Sequence, residues 1–547
     1  MTTKKVKTQL FCHYCKGSLR IRQEIRQQAH NSCNKEVKSY YPFESVFNWK
    51  KILLQFNEDI SFDSYFWLDY IDGRIIAKIP EITYMSFDRP SNSLEYLLDC
   101  INQLINLETQ NIQSFQLKTI SPSIEELSNL KELTLGSSKL EFPDTIGNLS
   151  NLTRLELNNN YLLSIPKTIG NLSNLTRLEL NHNHIKCLPD SIGNLFNLDY
   201  LELSKIELKS LPDSICQLKN LQKIELIFNQ LSELPSSIEN LTNITYLFLN
   251  HNKFTSLLNF WSQLESVELL TLQNNNLTSL PDSFGDLAKL NELHLDDNKL
   301  SSSPNSFGRL ETNFISITNT SLFSLSDSFG NLKYLYELCL ENANLSNLPT
   351  YFQDLLNLRI LDLTSNNFKI LPDKINYLSN SEKLNMEYNE LTELLPFIEN
   401  VTFQWISLKT RKIETIPDSI GNLRSLTYLY IGENPISDSP DGITNLQCSQ
   451  ALAINNTLIK ELPEFLKILQ NLQIIALFNV PLKSLPTTLE EIKSLEWIGL
   501  NDNSKLYIPR NLEDKIYFTK YNAPLHFKQA KEGISKEKSK FSKSTRI

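Results

Sequence analysis

Seventeen times between Leu133 and Leu500 the chain sets down two apolar residues separated by one position, and successive pairs stand 23 residues apart thirteen times and 22 apart three times. The first pair is Leu133/Leu135 and the last Ile498/Leu500. A unit this short cannot bury its apolar face alone, so each must cover it with the units before and after, which makes one continuous core. The expected fold is an α/β repeat solenoid, a horseshoe with a parallel β-sheet on its concave face and short helical turns on its convex face. Such a chain grows by adding coils, so its 547 residues read as one long repeat domain with appendages.

Side chains on a strand alternate between faces. Within one unit Leu152, Leu155, Leu157, Asn160 and Leu162 therefore point inward, and Arg154, Glu156, Asn158 and Asn159 point outward. The inward asparagine recurs as Asn160, Asn183, Asn229, Asn252, Asn275, Asn298, Asn366, Asn389, Asn434 and Asn503. A buried amide at that place satisfies backbone groups where the chain leaves the strand. Ser138, Ile206, Thr320, Ala343, Arg411, Thr457 and Val480 interrupt the series, and the coil is expected to be looser there. The return segment is expected to be a short helical turn, with Pro fixing φ at its start and Gly permitting an abrupt exit.

The full phrase is clearest in Leu188-Pro-Asp-Ser-Ile-Gly-Asn-Leu-Phe-Asn-Leu-Asp-Tyr-Leu-Glu-Leu203. It resembles the intracellular leucine-rich repeats of plant Ras-group-related proteins and of Scribble/Erbin-type scaffolds, from about Leu127 to Pro509. The resemblance implies a protein-interaction platform, with small GTPases among the partners of such families.

No apolar run reaches membrane-spanning length, and the opening MTTKKVKTQLFCHYCKG has charge without a following apolar stretch, so the expectation is a soluble, cytoplasmic protein. Cys100, Cys187, Cys216, Cys339 and Cys448 are scattered singly, which fits a reducing compartment. Triplets such as Asn148-Leu-Ser and Asn151-Leu-Thr are produced by the repeat phrase itself and read as incidental.

The net charge of −9 conceals a division: residues 1–38 hold nine Lys/Arg against two Glu, residues 528–547 hold seven against two, and the body between them carries −21. An acidic body repels phosphate backbones, so the repeats are poor candidates for nucleic acid. At the amino terminus, Cys12 and Cys15, then His30 and Cys33, supply two close ligand pairs of the kind that hold a tetrahedral structural Zn2+. His13 reads as a bystander. Arg20, Arg22 and Arg26 between the pairs make a nucleic acid or an anionic surface a second possible target, against the plainer reading of a solvated helix face.

The organisation expected is a basic zinc-binding element at 1–38, an aromatic-rich cap with irregular first coils at 39–126, the solenoid at 127–510, a cap at 511–527 and a basic disordered tail at 528–547. Phe115/Leu117 are expected to start the stack, after a strand within Ile75 to Phe87 and a helix over Ser93 to Leu107.

Two outward tracks are candidate contacts. Glu156, Glu179, Glu202 and Glu225 follow one another at the repeat period, with Arg154, Arg177 and Lys223 beside them. Trp405, Tyr428, Tyr430, Phe478 and Trp497, with Tyr246, Phe248 and Phe228 further back, place aromatic rings on the same face, where exposed rings would anchor a partner. His251, His294, Asp296 and Asp297 lie on an open surface with no nucleophile, and no phosphate-cradling glycine loop occurs, so no enzyme is expected. The leading expectation is a monomeric, non-enzymatic scaffold that binds a protein on the concave face. The alternatives are a zinc-element adaptor for nucleic acid or an anionic surface, and a substrate receptor of a ubiquitin-ligase-like assembly.

Overall fold

The computed structural model describes residues 9–11, 18–20, 60–61, 83–87, 105–113, 120–136, 140, 142–394, 396, 401–501 and 506–519. It divides into two compact units, Met1–Leu277 with Asp286–Leu290, and Thr278–Gly285 with Asn291–Ile547. Each of the seventeen apolar pairs coincides with a short strand, seven in the first unit and ten in the second.

In the first unit these strands run from Glu132–Gly136 to Leu269–Thr271 and pair in parallel, equivalent residues side by side. Arg154 lies opposite Arg177, Leu155 opposite Leu178 and Glu156 opposite Glu179. Strand order follows chain order, which fits a connection that climbs one coil at a time. The sheet also extends upstream of the first pair. Ile60–Ser61, Tyr84–Phe87 and Thr109–Gln113 join it in parallel, with Gln110 and Ile112 in register with Leu133 and Leu135. The coil before Glu132–Gly136 is thus Thr109–Gln113, at the ordinary 23-residue spacing, and the buried Gln110 in a leucine position hides it from the count of apolar pairs; Phe115 and Leu117 lie outside the described residues. Gln9–Phe11 and Ser18–Arg20 form a separate antiparallel pair.

In the second unit the strands from Glu292–His294 to Trp497–Asn501 pair in parallel in the same manner, and Ile516–Thr519 adds one more beside Trp497–Asn501. The core there includes the rings of Phe284, Phe307 and Phe329, whose centroids lie 6.0 and 5.7 Å apart in succession, at positions that hold Ile in many other coils.

The return segments are 3-10 turns. Pro166, with φ −67° and ψ 151°, delivers the chain to Lys167–Asn171, and the Leu172 N–H closes the turn on the Ile169 carbonyl. The glycine of the phrase has no positive φ in any coil. Its task is close approach. A Cβ on Gly147, Gly170 or Gly193 would lie 2.3 to 2.4 Å from a carbonyl oxygen of the next coil, on Thr168, Ser191 or Ser214. Left-handed backbone occurs instead just after the strands, at non-glycine residues such as His182, Lys205, Phe228, His251, Tyr388 and Glu433, with φ of 56–60°.

The inward asparagines are buried and tie coil to coil. Asn183 Nδ2 donates to the carbonyls of Leu157 (2.9 Å) and Leu180 (2.8 Å), and its Oδ1 accepts the N–H groups of Asn160 (3.1 Å) and Leu162 (2.9 Å). Asn229, Asn252, Asn275, Asn366, Asn389 and Asn434 bind the same way. Among the interruptions, Ile206 and Ala343 are fully buried and their N–H groups are taken by Asn229 and Asn366 of the following coil. At Arg411 the expectation needs correction: Thr410 turns inward and bonds Asn434, while Arg411 takes the left-handed turn with its side chain exposed. Ser138 and Asn503 lie outside the described residues.

A second asparagine ladder escapes the sequence argument. Asn151, Asn174, Asn197, Asn220 and Asn243 each donate Nδ2 to a carbonyl of the preceding coil, at 2.7–2.8 Å, just before the strand begins. Asn151, Asn174 and Asn243 are also first residues of the Asn-x-Thr triplets read as incidental; the repeat keeps them for stacking.

Candidate protein-binding face

The outward sheet positions form three rows: one before each apolar pair, one between its members and one after it. In the first unit the glutamate track of the middle row is fully engaged. Arg154 bridges Glu156 and Glu179, at 3.2 Å to each, and Arg177 lies 2.5 Å from Glu179 and 3.8 Å from Glu202. Lys223 lies 2.7 Å from Glu225, and the Tyr200 hydroxyl donates to Glu202. Arg177 also stacks on the Tyr200 ring at 3.6 Å. Like charges opposite one another on neighbouring strands would destabilise the sheet, and these three cations offset them. Compensation is not complete at the last member: burial, and then the Glu202 charge, raise the Glu225 carboxyl above its ordinary range against the pull of Lys223. Burial and the Glu202 hydrogen bond likewise push the Tyr200 phenol up.

Beside this track Tyr246 is exposed, Phe248 is half-buried, and the exposed Phe228 ring stacks on His251 at 3.8 Å, with Lys205 Nζ 5.0 Å from the Phe228 centroid.

The aromatic group of the second unit differs from the expectation of exposed rings. Trp405 and Trp497 are only 6% and 5% exposed, and Tyr428, Tyr430 and Phe478 are half-buried. The cause lies in the adjoining positions. Ala451, Ala453, Ala476 and Gly499 leave the sheet face low, and the rings lie down over it: Trp497, Tyr430 and Phe478 pack on Ala453 and Ala476. Gly499 has no room even for a methyl group under Trp497 and Phe478. Trp405 and Tyr430 are 5.5 Å apart by centroid, Phe478 and Trp497 5.8 Å, and Trp497 and Tyr517 5.9 Å. The result is a second, small apolar core on the outside of the sheet, with Trp405 and Trp497 buried and Tyr428, Tyr430 and Phe478 partly exposed. Burial raises the Tyr430 phenol above its ordinary value. A run of small residues beside a run of aromatic ones was the available sequence signal for this packing.

Cys12, Cys15, His30 and Cys33 lie outside the described residues. Among the described residues no group of three His, Cys, Asp or Glu is placed to hold a metal ion, and no helix is long and apolar enough to cross a membrane. A depression of about 450 Å³ lined by Arg411, Glu433, Asn434, Pro435, Asn456 and Leu458 contains no nucleophile or histidine.

Family models agree with this architecture. A leucine-rich repeat model matches residues 150–208 and 249–300, and a leucine-rich repeat region model matches 186–268. The chain carries leucine-rich repeats. Among solved structures, a leucine-rich repeat protein of Leptospira interrogans is 27% identical, with a TM-score of 0.56, over 80% of this chain and the whole of that one. Toll in the Drosophila Toll–Spätzle complex superposes with a TM-score of 0.62 at 19% identity, over 80% of this chain and 61% of that chain, a likeness of fold. A search of curated proteins finds no match.

Proposed function

We propose that this leucine-rich repeat protein is a non-enzymatic scaffold that binds a protein partner on its sheet face, with the aromatic platform of the second unit as the anchor. One observation carries the reading: the partly exposed rings of Tyr430 and Phe478 are already fixed by packing on Trp405, Trp497 and the alanine floor, and the Tyr428 hydroxyl beside them is held by Gln450. Rings ordered before binding lose little conformational entropy on contact, and Tyr and Trp dominate interface hot spots. Trp405 and Trp497 are supports in this reading, and Tyr428, Tyr430 and Phe478 make contact. The test is affinity capture with Tyr430→Ala/Phe478→Ala, checked for native strand protection by hydrogen exchange. A folded double variant that keeps every partner of the parent would remove the platform from the binding site.

A small GTPase as partner rests on the family resemblance alone. Cytoplasmic location is proposed from the widely spaced single cysteines, of which Cys187, Cys216, Cys339 and Cys448 form no disulfide. Zinc at Cys12, Cys15, His30 and Cys33 remains a proposal from ligand spacing, which predicts about one zinc per purified chain and less in Cys15→Ser.

A further inference from the structure

The sheet of the second unit ends, among the described residues, on the strand Ile516–Thr519, which is paired there with Trp497–Asn501 alone. Its register is unbroken: Ile516 stands beside Ile498, Tyr517 beside Gly499 and Phe518 beside Leu500. Ile516 and Phe518 therefore hold core positions. Ile498 and Leu500 are 0% and 2% exposed, whereas Phe518 is 51% exposed at the same place in the coil. A sheet edge pairs with other strands unless something blunts it, and Lys, Pro, inward charges or a bulge are the usual means. The sequence Ile516-Tyr517-Phe518-Thr519 has none of these and consists of residues that favour strands. The last unit of a stack needs a polar outer face to stand alone in water. A half-exposed phenylalanine in a core position does not supply one.

Charge indicates what fits over it. The turn Arg510–Lys515, which leads into the strand, carries Arg510 and Lys515 against Glu513 and Asp514, two cations and two anions with no net charge. Such an end offers little to a uniformly basic or acidic segment, the stretch 528–547 included, but it complements itself. We propose that Ile516–Thr519 is the docking strand for a second copy of this chain. A two-fold axis normal to the sheet sets the two edge strands antiparallel, brings the same patch from each copy and keeps both outward faces on one side. With the axis at Tyr517, Phe518 lies opposite Ile516 of the second copy, so both core positions are covered. The same rotation sets the two turns head to tail, where cations of one can meet carboxylates of the other. Tyr517 stacks on Trp497 at 5.9 Å, so the two aromatic platforms would adjoin at the junction. The proposed function is tested at Tyr430 and Phe478 and this docking at the edge strand, so either can fail alone.

The experiment is sedimentation velocity on the full chain from about 1 to about 100 µM, where a monomer should pass into a dimer of modest affinity. Amide exchange at Ile516 to Thr519 should slow as concentration rises. Phe518→Ser should weaken dimerisation by about tenfold or more, with exchange at Ile475 and Ile498 unchanged as the check on folding. Glu513→Lys/Asp514→Lys and Arg510→Glu/Lys515→Glu should each remain monomeric alone and form a mixed dimer when combined, an attraction that fades in about 0.5 M salt. A parent that stays monomeric across the whole range would overturn the proposal. So would a dimer that all three variants leave intact, which would place the contact on another surface. Protection of Ile516 to Thr519 that ignores concentration and is lost on deletion of residues 528–547 would also overturn it, by assigning the edge to the chain's own tail.

Discussion

Replacing Asn183 by Ala should cost about 4 kcal/mol, an unusually large amount for one polar side chain. The figure follows from its four contacts. Two backbone N–H groups, of Asn160 and Leu162, and two carbonyls, of Leu157 and Leu180, are bonded by one buried amide at 2.8–3.1 Å. Each such bond is worth about 1 kcal/mol net, and a buried group left without a partner costs about 1–3 kcal/mol. Asn183→Asp should be no milder at neutral pH, because it keeps the acceptor but loses both donations and buries a charge. Thr457 gives the contrast: its hydroxyl makes one bond, to the Ile454 carbonyl at 2.8 Å, so Thr457→Ala should cost only about 1 kcal/mol. Solenoids need not unfold in one step. The assay is therefore native-state hydrogen exchange at the Asn160 and Leu162 amides, supported by urea unfolding. Loss of less than about 1.5 kcal/mol of protection in Asn183→Ala would refute the reasoning.

Gly170→Ala should destabilise by about 2 kcal/mol or more, since the new methyl would stand 2.3 Å from the Ser191 carbonyl oxygen; urea midpoints measure it, and a neutral result would mean the coils can part freely. Glu225 has a folded-state carboxyl raised above its unfolded value, so it binds more protons when folded, and stability must fall as pH rises from the ordinary carboxylate range through the raised value. The stability of the parent relative to Glu225→Gln should decline over that window, and an opposite slope in urea titrations at several pH values would contradict the assignment. Trp497→Ala should loosen the outer core and raise exchange at Ala453 and Ala476, because it strips the cover from both; unchanged exchange would show that the rings are not packed as described.

The seventeen strands and the inward asparagines were legible because two periods coincide, alternation along the strand and 23 residues along the chain. Legibility ends where a residue type has two physical uses. Glycine can supply a positive φ or merely lack a Cβ, and composition does not separate them; at Gly147 and Gly170 the second applies. The aromatic track was visible as a period, yet the burial of Trp405 and Trp497 depends on how low the neighbouring coils are at Ala451, Ala453, Ala476 and Gly499. Gln110 was hidden because a polar residue fills a leucine place in the upstream coil.

The left-handed residues beside the inward asparagine have a further consequence. At His182, Phe228 and His251 the backbone takes φ of 56–57° with imidazole and phenyl side chains alike. A non-glycine residue there is disfavoured by roughly 1 kcal/mol, and by nearly the same amount for most types. Side-chain identity along this rim is thus loosely coupled to folding, apart from the preference for Gly and Asn and the exclusion of β-branched residues, none of which occurs among the positive-φ residues. A designer could rewrite the rim one coil at a time, as a row of interchangeable letters, and alter what the protein recognises while leaving the stack that carries them unchanged.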